Sequence, residues 1–212
     1  MRNSGPFLLR LGLLTAALYL LAHLLGWSGL ALVCKPLPVV CLLGFLIPPR
    51  TSDAALIATG LLLSAIGDLL LEASPALFLP GLASFLLAHV CYVIAFFGRT
   101  RALHLGRLGL VIALAWGAFS VLEPHLGAMR VPVIAYVVVI SAMLWRAAAQ
   151  LGEDRTGNLR PILAIAGAAM FAISDVMVAW HRFVAPEAAL QLPLMLLYWS
   201  GQLAITASSR RT

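Results

Sequence analysis

Charged residues are scarce in this chain. They account for 10% of its 212 residues, whereas 62% are hydrophobic; an average soluble domain is about a quarter charged. No stretch is long and polar enough to form a separate soluble domain. The composition excludes a soluble globular protein and predicts one transmembrane domain over residues 1–212.

The sequence lacks the motifs of disulfide-rich proteins, zinc sites and several common enzyme classes. The cysteines Cys34, Cys41 and Cys91 are odd in number and lie in apolar runs, so neither a disulfide framework nor a zinc spacing is present. GxSxG, P-loop and HExxH motifs are missing, which leaves serine-hydrolase, nucleotide and zinc-protease mechanisms without support. The histidines show no ligand spacing, and we expect neither metal nor cofactor.

The net charge of +6 does not indicate a nucleic-acid partner, because the arginines are scattered at segment ends and form no basic face. Counting Lys and Arg by side places eleven arginines on one side and two, Arg130 and Arg182, on the other. The positive-inside rule then predicts cytoplasmic N- and C-termini.

Long apolar runs predict an all-α, polytopic membrane protein. No alternating barrel pattern is visible, and lipid offers the backbone no hydrogen-bond partners, so each run is expected to be a helix. Arg2 and Arg10 precede a run that resembles a signal peptide but lacks a cleavage site, and we interpret it as the first helix. The eight predicted helices are 7–26, 29–47, 54–72, 76–97, 104–122, 127–149, 159–180 and 187–208.

Two carboxylates lie in matching positions inside these runs. Residues 65–68 read AIGD and residues 172–175 read AISD, which places Asp68 and Asp175 on the third and seventh helices. An ionisable group near a bilayer centre costs at least about 2.5–3.5 kcal/mol and usually pairs, faces a protein interior or performs chemistry. The two acids are therefore candidate catalytic residues; the alternative is a structural acid that bonds a neighbouring helix.

The matching segments also suggest an internal repeat. The third and fourth helices would correspond to the seventh and eighth, giving two four-helix halves whose acids face one another. Both acids are expected about 6–8 Å from the outer membrane surface, at 1.5 Å per residue. Further polar groups share helix faces by their spacing and are expected to converge there: Ser64, Asp68 and Glu72; His89 and Tyr92; Tyr198 and Gln202.

Several roles stay open for these residues. Lys35, the only lysine, is either a side chain that reaches the interface or a cation that holds a phosphate or offsets an acid. His89 is either an interhelical hydrogen-bonding group or a catalytic one, and Glu72 is expected at a half-solvated helix end. Two neighbouring buried acids can hold opposite protonation states, which suits acid-base catalysis.

The order of these motifs resembles the YhhN-like lysoplasmalogenase family of eight-helix membrane proteins. The resemblance extends from about Lys35 to the C-terminus. It rests on Lys35-Pro36-Leu37, Gly67-Asp68, the Gly81, Phe85, His89 and Tyr92 helix, Ser174-Asp175, and Tyr198 with Gln202. The family resemblance implies hydrolysis of the vinyl ether bond of a lysoplasmalogen, releasing a fatty aldehyde and glycerophosphoethanolamine or glycerophosphocholine.

The resemblance also implies partners and roles. The partners are a lysophospholipid substrate, membrane lipids and water, with no nucleic acid; the oligomeric state is left open. Asp68 and Asp175 are the implied catalytic pair, Lys35 the phosphate contact, and His89, Tyr92, Tyr198 and Gln202 the groups that orient substrate or water. We expect a bacterial inner-membrane protein with the site in its periplasmic half. The competing hypotheses are a lipid or small-molecule transporter that uses the acid pair, and a non-catalytic membrane binding protein.

Overall fold

The chain folds as a set of helices, as its apolar runs predict. The computed structural model describes residues 4–153 and 158–209, and within these ranges it contains helices and no strands. The all-α fold class is confirmed. The helices are α1 (Ser4–Leu24), α2 (Ser28–Cys34), α3 (Leu37–Gly44), α4 (Ser52–Ala73), α5 (Phe78–Arg99), α6 (Leu105–Leu122), α7 (Arg130–Ala149), α8 (Arg160–Ala179) and α9 (Gln191–Ser209).

The length and surface of these helices suit a lipid environment. In the described ranges, seven helical segments are long and apolar enough to cross a membrane. Large apolar side chains remain exposed on them, such as Trp116 at 71% and Val131 at 75%. An exposed apolar surface of this kind is stable against lipid tails and costly in water. The chain is a polytopic integral membrane protein.

The second predicted helix, 29–47, is interrupted near its middle. The structure breaks it at Lys35 and Pro36 into α2 and α3. Pro36 and Pro38 have no backbone N–H and their rings crowd the preceding turn, so a regular helix cannot run through both. The apolar segment Ser28–Gly44 spans 17 residues, about 25 Å at 1.5 Å per residue, which is less than a typical 30 Å hydrocarbon core.

The chain divides into two compact units, Met1–Cys91 and Tyr92–Thr212. The predicted single domain over 1–212 and the predicted repeat of four-helix halves stay predictions. In the first unit, α1 packs against α2 and α3, and α3 packs against α4. Thr51 caps the start of α4 by accepting a hydrogen bond from the Ala54 backbone N–H at 3.1 Å.

Glycine allows α4 to approach the first part of α5 closely. A Cβ added to Gly67 would lie 2.7 Å from ring carbons of Phe85, and one added to Gly81 would lie 2.7 Å from Leu71. Ser84 on α5 also donates a 2.7 Å hydrogen bond to the Leu63 carbonyl. Small residues at an interface are the usual means by which membrane helices pack tightly, and here they fix the helix that carries Asp68.

In the second unit, α8 and α9 form a similarly close pair. A Cβ at Gly167 would lie 2.8 Å from the Gly201 carbonyl oxygen, and a Cβ at Gly201 would lie 2.9 Å from the Gly167 carbonyl oxygen. The α7 helix packs against both α6 and α8. This packing fixes α8, the helix that carries Asp175.

Arginine side chains fasten the connections at one end of the second unit. Arg146, only 1% exposed, donates to the carbonyl oxygens of Thr100 and Ala102 and packs against the Phe97 ring. Arg107 donates to the carbonyl of Ala148, in the last turn of α7, and to that of Leu151, just after the helix. These arginines therefore satisfy backbone groups that a helix end leaves without partners.

Candidate functional site

In the first unit, the polar stripe of α4 lies partly in the protein interior. Asp68 is 2% exposed and Ser64 is fully buried. The two residues are four apart, so they occupy one face of the helix. An acid in an apolar membrane helix is expected to face the protein interior, and Asp68 does so; its catalytic role stays a prediction.

Lys35 and Glu72 form an ion pair at the end of this stripe. The Lys35 Nζ lies 3.0 Å from Glu72 Oε2, and the Tyr19 hydroxyl donates to the same oxygen at 3.4 Å. Their side chains are 12% and 19% exposed, respectively. Glu72 lies at the end of α4 and is partly exposed, and its half-solvated state stays a prediction. Lys35 offsets Glu72 in this structure, and its phosphate contact also stays a prediction.

His89 lies on α5 within the first unit and is fully buried. A buried imidazole has lost its water shell and must be held by neighbouring groups. Its predicted role in orienting substrate or water stays a prediction.

In the second unit, Asp175 accepts a hydrogen bond from a residue that sequence analysis did not identify. The Tyr136 hydroxyl on α7 donates to Asp175 Oδ2 at 2.7 Å. The Tyr136 side chain is buried, and Asp175 is half-buried. A short bond from a rigid phenol fixes the direction in which the carboxyl group points.

Tyr92, Gln202 and Tyr198 gather near Phe171 in the same unit. The Tyr92 hydroxyl donates to Gln202 Oε1 at 2.8 Å. The Phe171 ring makes edge contacts with the rings of Tyr92 and Tyr198, at centroid distances of 6.5 and 5.3 Å. Phe171 lies four residues before Asp175 on α8, so both occupy one face of that helix.

The predicted site residues thus fall into two described groups. The first unit contains Lys35, Asp68 and His89, and the second contains Tyr92, Asp175, Tyr198 and Gln202. Within the second group, the structure joins Tyr92 to Gln202 directly and to Tyr198 through Phe171. The facing arrangement of the two acids stays a prediction.

Two tyrosines that contact acidic residues, Tyr19 and Tyr136, were not among the predicted site residues. Tyr136 lies in an apolar run with no polar neighbour at helical spacing, so no stripe distinguishes it. Tyr19 lies four residues from both Thr15 and His23, so these three share a helix face, and this stripe was not used. For Tyr136, the available signal was a polar hydroxyl inside an otherwise apolar span of a chain that also has acids within its spans. Among the described residues, no group of three or more His, Cys, Asp or Glu side chains is placed to hold a metal ion.

The fold and these buried polar groups define a helical membrane protein with ionisable residues inside its spans, the arrangement typical of membrane enzymes and transporters. A family model narrows that class. The YhhN family model matches residues 30–209, and the chain belongs to the YhhN family.

Three proteins that are similar to this chain are named lysoplasmalogenase. Lysoplasmalogenase TMEM86B of Homo sapiens is 38% identical over 188 residues, covering 87% of this chain and 77% of that protein. Lysoplasmalogenase TMEM86A of Homo sapiens is 34% identical over 196 residues, covering 86% and 79%. A lysoplasmalogenase of Mycobacterium tuberculosis (strain CDC 1551 / Oshkosh) is 36% identical over 156 residues, covering 69% and 57%. No solved structure matches the chain.

Proposed function

We propose that this protein is a lysoplasmalogenase, a hydrolase that cleaves the vinyl ether bond of a lysoplasmalogen. The observation that carries the proposal is its similarity, over most of its length, to relatives named lysoplasmalogenase. Two acids held inside membrane helices support it, because they provide acid-base groups at the depth of a lipid substrate. The products are a fatty aldehyde and glycerophosphoethanolamine or glycerophosphocholine.

The reaction requires one proton donor and one proton acceptor. A neutral aspartic acid protonates the β-carbon of the vinyl ether, and the electron pair on the ether oxygen stabilises the resulting oxocarbenium ion. An ionised aspartate removes a proton from the water that attacks this cation. The hemiacetal then breaks its bond to the glycerol oxygen, which takes the proton that the second aspartate holds. The hemiacetal hydroxyl gives its proton to the first aspartate as it becomes the aldehyde carbonyl, which restores both acids.

We assign these two roles to Asp68 and Asp175, and the proposal does not depend on which acid donates. Lys35 contacts the substrate phosphate, while His89, Tyr92, Tyr198 and Gln202 orient substrate or water. Water and the surrounding lipids are the other partners. The supporting observations are the burial of Asp68 and the 2.7 Å bond that orients Asp175.

The proposed setting is a bacterial inner membrane, with both termini in the cytoplasm and the site in the periplasmic half. The excess of arginine on one side supports this orientation. A reporter fused after Thr212 is expected to be active only in the cytoplasm. Activity of that reporter on the opposite side would refute the orientation while leaving the chemistry untouched.

Tyr136 is expected to position Asp175, and Tyr136→Phe tests this. Removing the phenol oxygen leaves the ring in place but removes the 2.7 Å bond that orients the carboxyl group. Because a hydrogen bond to a charged group contributes about 1.5–3 kcal/mol, kcat should fall at least about tenfold while KM stays within about twofold.

The matched control is Ser120→Ala. It also removes a hydroxyl, but one that bonds only to the Gly117 carbonyl of its own exposed helix, and it should leave kcat unchanged. An unaltered kcat in Tyr136→Phe, measured by aldehyde release, would contradict the positioning role.

The proposed function itself is tested by product analysis with purified, detergent-solubilised protein. A lysoplasmalogen and the corresponding ester-linked lysophospholipid are supplied in parallel. We expect aldehyde from the vinyl ether and no fatty acid from the ester. Uptake of a lipid into proteoliposomes without any product would support the transporter hypothesis instead.

A further inference from the structure

The ion pair between Lys35 and Glu72 is only partly buried. Both side chains retain some exposure, 12% and 19%, although they lie in a polar cluster with the buried Tyr19. An ion pair sealed in the interior would serve only the fold. A partly exposed pair can exchange its internal contact for contacts with a ligand of matching charges.

Hydrogen-bonding capacity also remains unused within the pair. Lys35 and Tyr19 both contact Glu72 Oε2, and within the described residues no hydrogen bond reaches Oε1. A lysine ammonium carries three N–H donors, and Glu72 accounts for one of them. The cluster therefore offers a cationic donor and an anionic acceptor next to each other.

The geometry points to a binding site for a zwitterionic head group, phosphoethanolamine, in which Lys35 holds the phosphate and Glu72 holds the ammonium. We infer that this site makes the protein prefer ethanolamine to choline substrates. The inference rests on the proposed function. It adds Glu72 to the site and decides between two head groups that the sequence left open.

The preference follows from the chemistry of the two ammonium groups. The primary ammonium of ethanolamine can donate a hydrogen bond to Glu72 Oε1, whereas the trimethylammonium of choline has no N–H. Proteins recognise choline mainly with cages of aromatic rings. The Tyr19 ring is fully buried, lies 5.9 Å from the Lys35 Nζ and stacks with His23, so it offers no free face to a second cation.

The position of the pair suits a substrate whose ether bond reaches Asp68. Glu72 follows Asp68 by four residues on α4, which places it about 6 Å farther along one face of the helix. In a lysoplasmalogen, the three glycerol carbons separate the ether oxygen from the phosphate ester. One helix face thus presents an acid toward the ether and a carboxylate toward the head group.

A competition experiment measures the preference directly. Purified protein receives equal amounts of lysoplasmenylethanolamine and lysoplasmenylcholine in one reaction, and mass spectrometry follows the two glycerophospho products. The ethanolamine product should exceed the choline product by about tenfold, the effect of one charge-assisted hydrogen bond. In Glu72→Gln, the ethanolamine product should exceed the choline product by no more than about twofold, because the amide keeps the shape of the side chain but loses its charge.

The ratio is insensitive to partial misfolding, since both substrates meet the same protein molecules. Asp53→Asn is the matched control: it removes a carboxylate from the first turn of the same helix and should leave the ratio unchanged. A ratio that is the same in wild type and Glu72→Gln would overturn the inference. Absence of aldehyde from both substrates would refute the proposed function instead.

A series of substrates tests the inference without any variant. Stepwise methylation of the ethanolamine nitrogen retains at least one N–H up to the dimethyl compound and loses the last with the third methyl group. We expect the largest fall in kcat/KM at that final step. A kcat/KM that stays constant across the series would contradict hydrogen bonding to Glu72.

Discussion

Asp68→Asn and Asp175→Asn each lower aldehyde release by about 10²–10⁴-fold, the usual contribution of a positioned general acid or base. Asparagine matches aspartate in shape but can neither donate nor accept the proton that the reaction transfers. Both variants should therefore remain folded and bind substrate with little change in KM. The loss should appear in kcat, because the missing contribution belongs to the transition state.

Asp53→Asn again supplies a matched control, since it makes the same replacement in the first turn of α4, far along the helix from Asp68. Thermal unfolding of each purified variant separates loss of chemistry from loss of fold. If Asp68→Asn and Asp175→Asn both kept near-normal turnover in folded protein, the acid-base mechanism would be wrong.

Gly167→Ala should cause the largest loss of stability among single-methyl changes in the second unit. The added carbon would lie 2.8 Å from the Gly201 carbonyl oxygen and equally close to the Ile205 backbone nitrogen. A side chain could relieve such a contact by changing its rotamer, but helix backbone atoms cannot. The α8 and α9 helices must therefore move apart. Overpacking of this kind costs about 1–3 kcal/mol and should lower the Tm by about 2–10 °C.

Gly117→Ala is the control for this prediction. A Cβ at Gly117 meets nothing within 4 Å, and alanine favours a helix over glycine by about 0.5–1 kcal/mol. Its Tm should therefore be equal to or above that of the wild type. Equal Tm values for Gly167→Ala and Gly117→Ala, measured in the same detergent, would show that the α8–α9 contact is not tightly packed.

The apolar runs predicted the fold well because each long run must satisfy its backbone hydrogen bonds internally in lipid. The helix bounds moved by only a few residues at most ends. The exception is the segment around Pro36, where the run is apolar apart from Lys35 but the missing N–H groups interrupt the helix. Hydropathy describes the free energy of moving side chains from water into an apolar medium, and it contains no information about a missing backbone N–H.

The candidate site was less predictable. Asp68 and Asp175 were identified because an acid inside an apolar run is costly wherever it points. Tyr136 was missed because a tyrosine in such a run is unremarkable until its partner is known. The pairing of Lys35 with Glu72 joins residues 37 positions apart, and the helix period relates only residues a few positions apart.

Isotope labelling tests the central claim, vinyl ether hydrolysis by protonation at carbon, most directly. Wild-type protein and Asp68→Asn act on lysoplasmenylethanolamine in heavy water and, separately, in water enriched in heavy oxygen. We predict one deuterium on the carbon next to the aldehyde and no heavy oxygen in the glycerophosphoethanolamine, with product greatly reduced in the variant. Heavy oxygen in the glycerol fragment, or no aldehyde from folded wild-type protein, would contradict the account.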